Sequence, residues 1–440
     1  MNVCQEVISG KKSSGPKDDI QPYKLKEVEM RAKWMCILMV LALLAPVGLT
    51  KTKIVVAGRD GGYGVALQLA VDMYTAQHPD VEIELLKLPY AGLYEKLVID
   101  LAEGIGAYDI VMLDDTWATE FMSHGWLANL EELGYRPDPD FVANALAVGR
   151  YPYPDGALYA LPHVGNVELF AYRKDLFEKY GLPTPPKSWL EVMGAAALID
   201  RFEPDVKGVV FRGRKGNPVV AGFLPMFWAF GANIVEDGHA AVASDAGIAA
   251  LKFLIALKDY APVGVEVFDS SEVKDALLAG DVAMATEVWP GWIPALDDPA
   301  KSKVVGKVEI IPAPGLVEHS SPMIGIWLLG VSSASKHKDV ALDFLKFITS
   351  ADVQRRLTFE AGHPPTRKSV YSDPEVVAKY RWFPAQLQAL ENSVPRPRVP
   401  VWSEIEGILG DYLQLALVGE MSPEDALRAA QGRIEEILGQ

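Results

Sequence analysis

The sequence predicts an α/β fold in two lobes, and three observations carry that expectation. Short apolar runs alternate with amphipathic stretches through the first third of the chain. The same alternation restarts after Asn166, beyond a stretch at residues 151–156 that carries two prolines and a glycine. At 440 residues the chain is also long enough for two domains of ordinary size or one large bilobed unit.

The first strand is expected over residues 53–57, a glycine loop over 58–64, and an amphipathic helix over 65–78 that Pro79 ends. A second strand at 81–86 then makes a right-handed parallel unit. Residues 94–103 read as a helix, 110–113 as a strand buried on both faces, and 117–124 as a helix. A hairpin-like approach at 158–162 leads to a crossover. The restart gives a strand at 167–172, a helix at 174–180, a proline-rich connector at 183–186, helices at 189–200 and 245–257, and a strand within 304–314. The chain closes on an amphipathic helix at 422–438, introduced by Ser422, Pro423, Glu424 and Asp425. Two crossovers with unlike flanks imply that each lobe is assembled from separated pieces.

The strand at 110–113 stops abruptly in Asp114, Asp115, Thr116 and Trp117. In an open α/β sheet the crevice beyond the carboxyl ends of the strands is where ligands bind. Carboxylates accept from sugar hydroxyls, and an indole offers a flat face to the C–H groups of a sugar ring. One of the two carboxylates can instead cap the following helix, but both cannot fill one cap. Trp289 precedes a Pro-Gly break, and Trp327 lies in an apolar run with glycines at both ends. Each indole alone reads as core; three at strand ends read as a surface for a ligand. Arg367, Arg396 and Arg398 sit beside prolines that aim their guanidinium groups at oxygens, whether of a ligand or of surface acids.

Other chemistries fit poorly. The glycine loop lacks the third glycine or alanine of a dinucleotide fingerprint and the Lys-Ser/Thr pair of a P-loop, so a tight turn with Tyr63 as a side wall is the better account. Seven scattered histidines lack ligand spacing, and no metal or cofactor is expected. No Gly-x-Ser-x-Gly elbow occurs. A glycoside hydrolase needs only two opposed carboxylates, for which Asp114, Asp115, Glu168 and Glu287 would serve, but eight regular βα units are not visible.

The net charge of −16 is set by 58 acidic against 42 basic residues, and without residues 1–50 it becomes −18. Such a surface repels nucleic acid and anionic lipid. Cys4 and Cys36 are the sole cysteines, so neither disulfides nor a Cys-based zinc site hold the body together. Residues 34–49 are uncharged and follow Arg31 and Lys33, the layout of a secretory signal, cleaved or retained as an anchor. Residues 1–29, polar and aperiodic, read as an upstream extension.

Taken in order, several segments resemble the carbohydrate branch of the family 1 extracellular solute-binding proteins of ABC importers. They are residues 74–81, 108–126 with Asp-Asp-x-Trp, 166–175, 228–233, 279–290, 325–327, 335–338, 395–397 and 423–427. Within that family the chain looks most like trehalose- and maltose-binding proteins. The resemblance implies two α/β lobes, residues 51–162 with 313–358 and residues 163–312 with 359–440. Strands would cross between them near 162–165, 310–314 and 359–362, with the ligand enclosed by hinge closure. By position it implies that Asp114 or Asp115 and Glu168 accept from hydroxyls, that Trp289 and Trp327 stack, and that Arg396 donates; Tyr63, Trp117, Gly325 and Arg367 complete the expected lining. It further implies a monomeric, non-catalytic protein outside the cytoplasmic membrane that delivers an α-glucoside to permease subunits. A same-fold binder of glycerol phosphate or polyamine is the other reading.

Overall fold

The computed structural model describes residues 51–439. The expected export segment and the upstream extension lie outside these residues. No described helix is long and apolar enough to cross a membrane.

The first sheet grows from β1 (Thr52–Arg59), α1 (Gly61–Gln77), β2 (Val81–Leu88), α2 (Tyr90–Glu103), β3 (Ile110–Asp114) and α3 (Asp115–Ser123). β1 pairs in parallel with both β2 and β3, as the strand–helix–strand pattern requires. Two strands from later in the chain complete it: β4 (Ala160–Val164) and β8 (Trp327–Val331), giving the order β2-β1-β3-β8-β4. β8 runs antiparallel to β3 and β4, wedged between them. Its five residues are all buried, as are Ile110 to Leu113 of β3, because helices cover both faces.

The second sheet is built from β5 (Leu169–Arg173), β6 (Met284–Val288) and β7 (Val308–Pro312), in the order β6-β5-β7. Both pairings are antiparallel. α5 (Ser270–Ala279) packs on β6, while α4 (Asn217–Ala229) packs on α7 (Trp402–Leu417) and α7 on α8 (Pro423–Leu438). α4 is apolar on every side, and Pro218 to Ala229 are all buried, which identifies it as a core helix.

Boundaries differ from the sequence expectation in informative places. The glycine stretch is not a free loop: β1 runs on to Arg59, Gly61 turns the chain at φ +65°, and α1 begins there. α2 starts at Tyr90, directly after Pro89, rather than at residue 94. Residues 359–362 are not a crossing strand; they end helix α6 (Ala351–Ala361), and Gly362 closes it in the left-handed conformation. The connection there is made by the residues that follow, where the Gly165 amide donates to Pro364 O at 2.8 Å.

Candidate functional site

β3 ends at Asp114, whose carboxylate accepts from the Thr116 amide at 3.4 Å and so caps α3. Asp115 therefore goes elsewhere. It is 1% exposed, and Arg396 Nη1 donates to its Oδ1 at 2.7 Å. Arg396 also lies 3.6 Å from Glu406 of α7. Arg398, beside it, donates to the backbone carbonyls of Asp115 at 2.8 Å and Val148 at 2.9 Å. The stiff 395–400 segment thus fixes one guanidinium to the carboxylate next to the cap and one to the backbone.

Beyond these strand ends lies a cleft of about 660 Å³. The first sheet contributes Arg59, Asp60, Tyr63, Tyr90, Asp114 and Trp327 to its lining, and the second contributes Arg212, Arg214, Asn217, Asp269, Trp289 and Trp292. Asn166, Gly325 and Arg396 line it between them. Asn166 Nδ2 donates to the Tyr63 hydroxyl at 2.7 Å. Trp327 meets Tyr63 at 5.5 Å and Tyr90 at 5.9 Å between ring centroids, so three aromatic rings form one wall. The Arg59 guanidinium stands 5.5 Å from the Tyr90 ring centroid.

Facing that wall, Trp289 Nε1 donates to Glu287 Oε1 at 2.7 Å. The same carboxylate is paired with Arg212, which also reaches Asp269 at 2.8 Å. Trp289 is seated against the backbone of Gly325. A Cβ at Gly325 would fall 2.6 Å from Trp289 Cζ3 and 2.8 Å from Cη2, inside any allowed contact, so only glycine lets the indole lie there.

Of the residues expected from sequence, Tyr63, Asp114, Trp289, Gly325, Trp327 and Arg396 line the cleft. Asp115 stands behind it as the partner of Arg396. Trp117 is 4% exposed and packs edge-on to Trp327 at 5.7 Å, supporting that ring from behind. Glu168 is fully buried, off the cleft surface, and neither carboxylate oxygen has a protein partner. Burial, reinforced by the Glu287 charge, pushes it well above the ordinary carboxylate range, against the pull of Arg212 and Arg396. Arg367 does not line the cleft. Its Nε donates to Thr349 O at 2.7 Å, its Nη1 meets Asp138 at 2.8 Å, and its guanidinium lies 3.5 Å from the Phe141 ring centroid. Arg367 and Phe141 also pair through an isolated antiparallel backbone bridge, and Arg367 is buried.

Sequence reasoning missed Arg59, Tyr90, Asn166, Arg212, Asn217, Asp269 and Trp292. Asp269 was visible as the start of a capping box with Glu272, a motif that marks a helix but not a cleft. Arg212 and Asp269 are 57 residues apart, and no local pattern announces such a pair. Among the described residues no group of three or more His, Cys, Asp or Glu is placed to hold a metal ion.

Residues 60–355 match the model of the bacterial extracellular solute-binding proteins, and the chain belongs to that family. A probable amino-acid ABC transporter periplasmic-binding protein of Sinorhizobium fredii is 28% identical over 368 residues, spanning 81% of this chain and 83% of its own. Maltose-bound MalE3 of T. maritima is 28% identical with a TM-score of 0.77, over 88% of this chain and all of that one (100%). A solute-binding protein of an ABC transporter from Agrobacterium radiobacter K84, in complex with ribitol, is 26% identical with a TM-score of 0.78, over 88% and 99% of the two chains. The fold is the bilobed one of periplasmic binding proteins.

Proposed function

We propose that this chain is the extracytoplasmic substrate-binding protein of an ABC importer for sugars or polyols, and that within this class its ligand is an α-glucoside disaccharide or oligosaccharide of the trehalose or maltose kind. The observation that carries the reading is an aromatic-walled cleft in which every lining arginine is matched by a carboxylate. Arg59 is joined to Asp60, Arg212 to Glu287 and Asp269, Arg214 to Asp269, and Arg396 to Asp115 and Glu406. The cleft holds more arginines than the sequence suggested, yet each already has its carboxylate. Such a lining presents many directional donors and acceptors and little net field, which suits an uncharged polyhydroxyl ligand better than glycerol phosphate or a polyamine. The bound maltose and ribitol of the two related structures agree with that class.

Each hydrogen bond between a charged side chain and a hydroxyl contributes about 1.5–3 kcal/mol, and a ligand lacking one hydroxyl leaves a desolvated partner unmet. We assign the first lobe to residues 51–162 and 313–358 and the second to 163–312 and 359–440; the membership of the two sheets follows this division to within two residues. Closing the lobes on the ligand excludes water and presents the complex to the permease subunits. The protein acts as a monomer and makes or breaks no bond.

Calorimetry with maltose, trehalose, glucose, ribitol, mannitol, glycerol phosphate and a panel of amino acids tests this. Binding of a neutral carbohydrate is expected, with the α-linked disaccharides strongest. Heat from glycerol phosphate or an amino acid with silence from every neutral sugar and polyol would overturn it, and release of reducing sugar on long incubation would restore the hydrolase reading.

A further inference from the structure

Glu406 lies within α7, 8% exposed, where a carboxylate is costly unless donors meet it. Two donors from distant parts of the chain converge on its Oε1. Asn217 Nδ2, at the start of α4, donates to it at 3.0 Å, and Arg396 Nε stands 3.6 Å away. Backbone packing sets this approach: Gly410, one turn further along α7, lies so close to the start of α4 that a Cβ there would fall 2.6 Å from Gly216 Cα. From Glu406 the contacts run both ways. Arg396 donates to Asp115, beside the end of β3, at 2.7 Å. In the other direction Asn217 Oδ1 accepts from Arg212 Nη2 at a long 3.5 Å, Arg212 pairs with Glu287, and Glu287 accepts from the Trp289 indole at 2.7 Å. Arg396, Asn217, Arg212 and Trp289 line the cleft, and Glu406 stands behind them.

We propose that Glu406 is a positioning residue for the ligand: it fixes the Asn217 amide so that its oxygen is left for Arg212 and the ligand, and it joins the Asp115 side of the cleft to the Trp289 side in one chain of contacts. A carboxylate only accepts and a guanidinium only donates, so an amide held between them has one allowed orientation. Asn217 then offers an acceptor to a ligand hydroxyl, and a ligand oxygen that cannot donate gains nothing there. The same carboxylate orders Arg396, so a change on one side of the cleft is felt on the other. The hydroxyl contact rests on the carbohydrate reading; the chain of contacts does not.

Two measurements separate them. Glu406→Gln keeps the size of the side chain but both donates and accepts, which frees the Asn217 amide to turn. In the ligand-free protein, the indole N–H resonance of Trp289, identified by its loss in Trp289→Phe, is expected to move in Glu406→Gln, while that of Trp189, buried against Phe170, stays in place. In calorimetry with maltose, trehalose, ribitol and mannitol, Asp115→Asn and Asn217→Ala are combined, two changes with no shared partner. Their joint effect on affinity is expected to depart from the product of the single effects by more than about threefold, where independent sites agree within about twofold. In the Glu406→Gln background that departure should vanish, whereas coupling carried by the ligand itself would persist. An unmoved Trp289 resonance, an equal shift at Trp189, or coupling that is absent from the wild type or survives Glu406→Gln overturns the proposal. A moved Trp289 resonance with all four probes silent discards the carbohydrate reading while supporting the chain of contacts.

Discussion

Trp327 and Trp117 are both almost buried and both stand beside strand ends, yet their surroundings give them different work. Trp327 presents its ring to the cleft beside Tyr63 and Tyr90, whereas Trp117 meets Tyr90 at 4.9 Å, Tyr94 at 5.1 Å and the back of Trp327. Trp327→Ala is therefore expected to weaken ligand binding by about 1–3 kcal/mol, the usual loss on truncating a buried aromatic anchor, as read by calorimetry. Trp117→Ala should show itself first in urea unfolding, at about 3–5 kcal/mol for deletion of a packed indole. Equal affinities for Trp327→Ala and wild type would return Trp327 to the core. The sequence placed both indoles near strand ends but could not rank them, because facing is decided by β8 inserting beside β3 from more than 200 residues away. The same limit applies to Arg367: proline neighbours told that its side chain is held, not that Phe141 and Asp138 hold it.

At the scale of elements, hydrophobic periodicity located every strand of the first sheet's parallel unit to within a few residues, because burial on both faces leaves a continuous apolar run. What it could not locate were junctions, such as the start of α1 inside the glycine stretch, where backbone conformation rather than side-chain character decides. The connecting segments show why junctions matter. His163 of β4 and His363, just beyond α6, lie 4.3 Å apart between ring centroids with their planes tilted by 37°, both buried. His363 Nε2 is 2.8 Å from His163 O, and neither ring nitrogen of His163 has a partner. Burial depresses both imidazoles, with the His363 charge adding to the effect on His163, and His363 is lowered to about 4. An unfolded chain binds these protons near pH 6.5 while the folded one resists them, so stability is full above that pH and is lost as the pH falls toward 4. Thermal unfolding between pH 7.5 and 4.5 should show this decline, and His363→Gln should flatten it, since an amide can keep the donor to His163 O without titrating. An unchanged slope in the variant would assign the acid sensitivity to other groups.

For the whole molecule, the decisive property is that no single sheet owns the cleft. Trp327 and Asp114 end strands of the first, Trp289 and Arg212 belong with the second, and Asn166, Gly325 and Arg396 lie on segments between them. A ligand touching all of these prefers the state in which both sheets are drawn together, and it can shift the population only by that difference in affinity. Two consequences follow from the same free energy. Ligand at a hundred times its dissociation constant should add about 2.7 kcal/mol to stability, seen as a rise in melting temperature that grows with the logarithm of ligand concentration. Small-angle scattering should show the radius of gyration falling as the same sites fill. Gly325→Ala should move both readouts to higher ligand concentration together, because a methyl there would fall 2.6 Å from Trp289 Cζ3 and displace that indole from the connecting segment. Compaction should then require more ligand while the ligand-free melting temperature changes little. Stabilisation by ligand with no compaction in the wild type would mean that one lobe binds alone, and the closure mechanism would fall while the binding assignment stood.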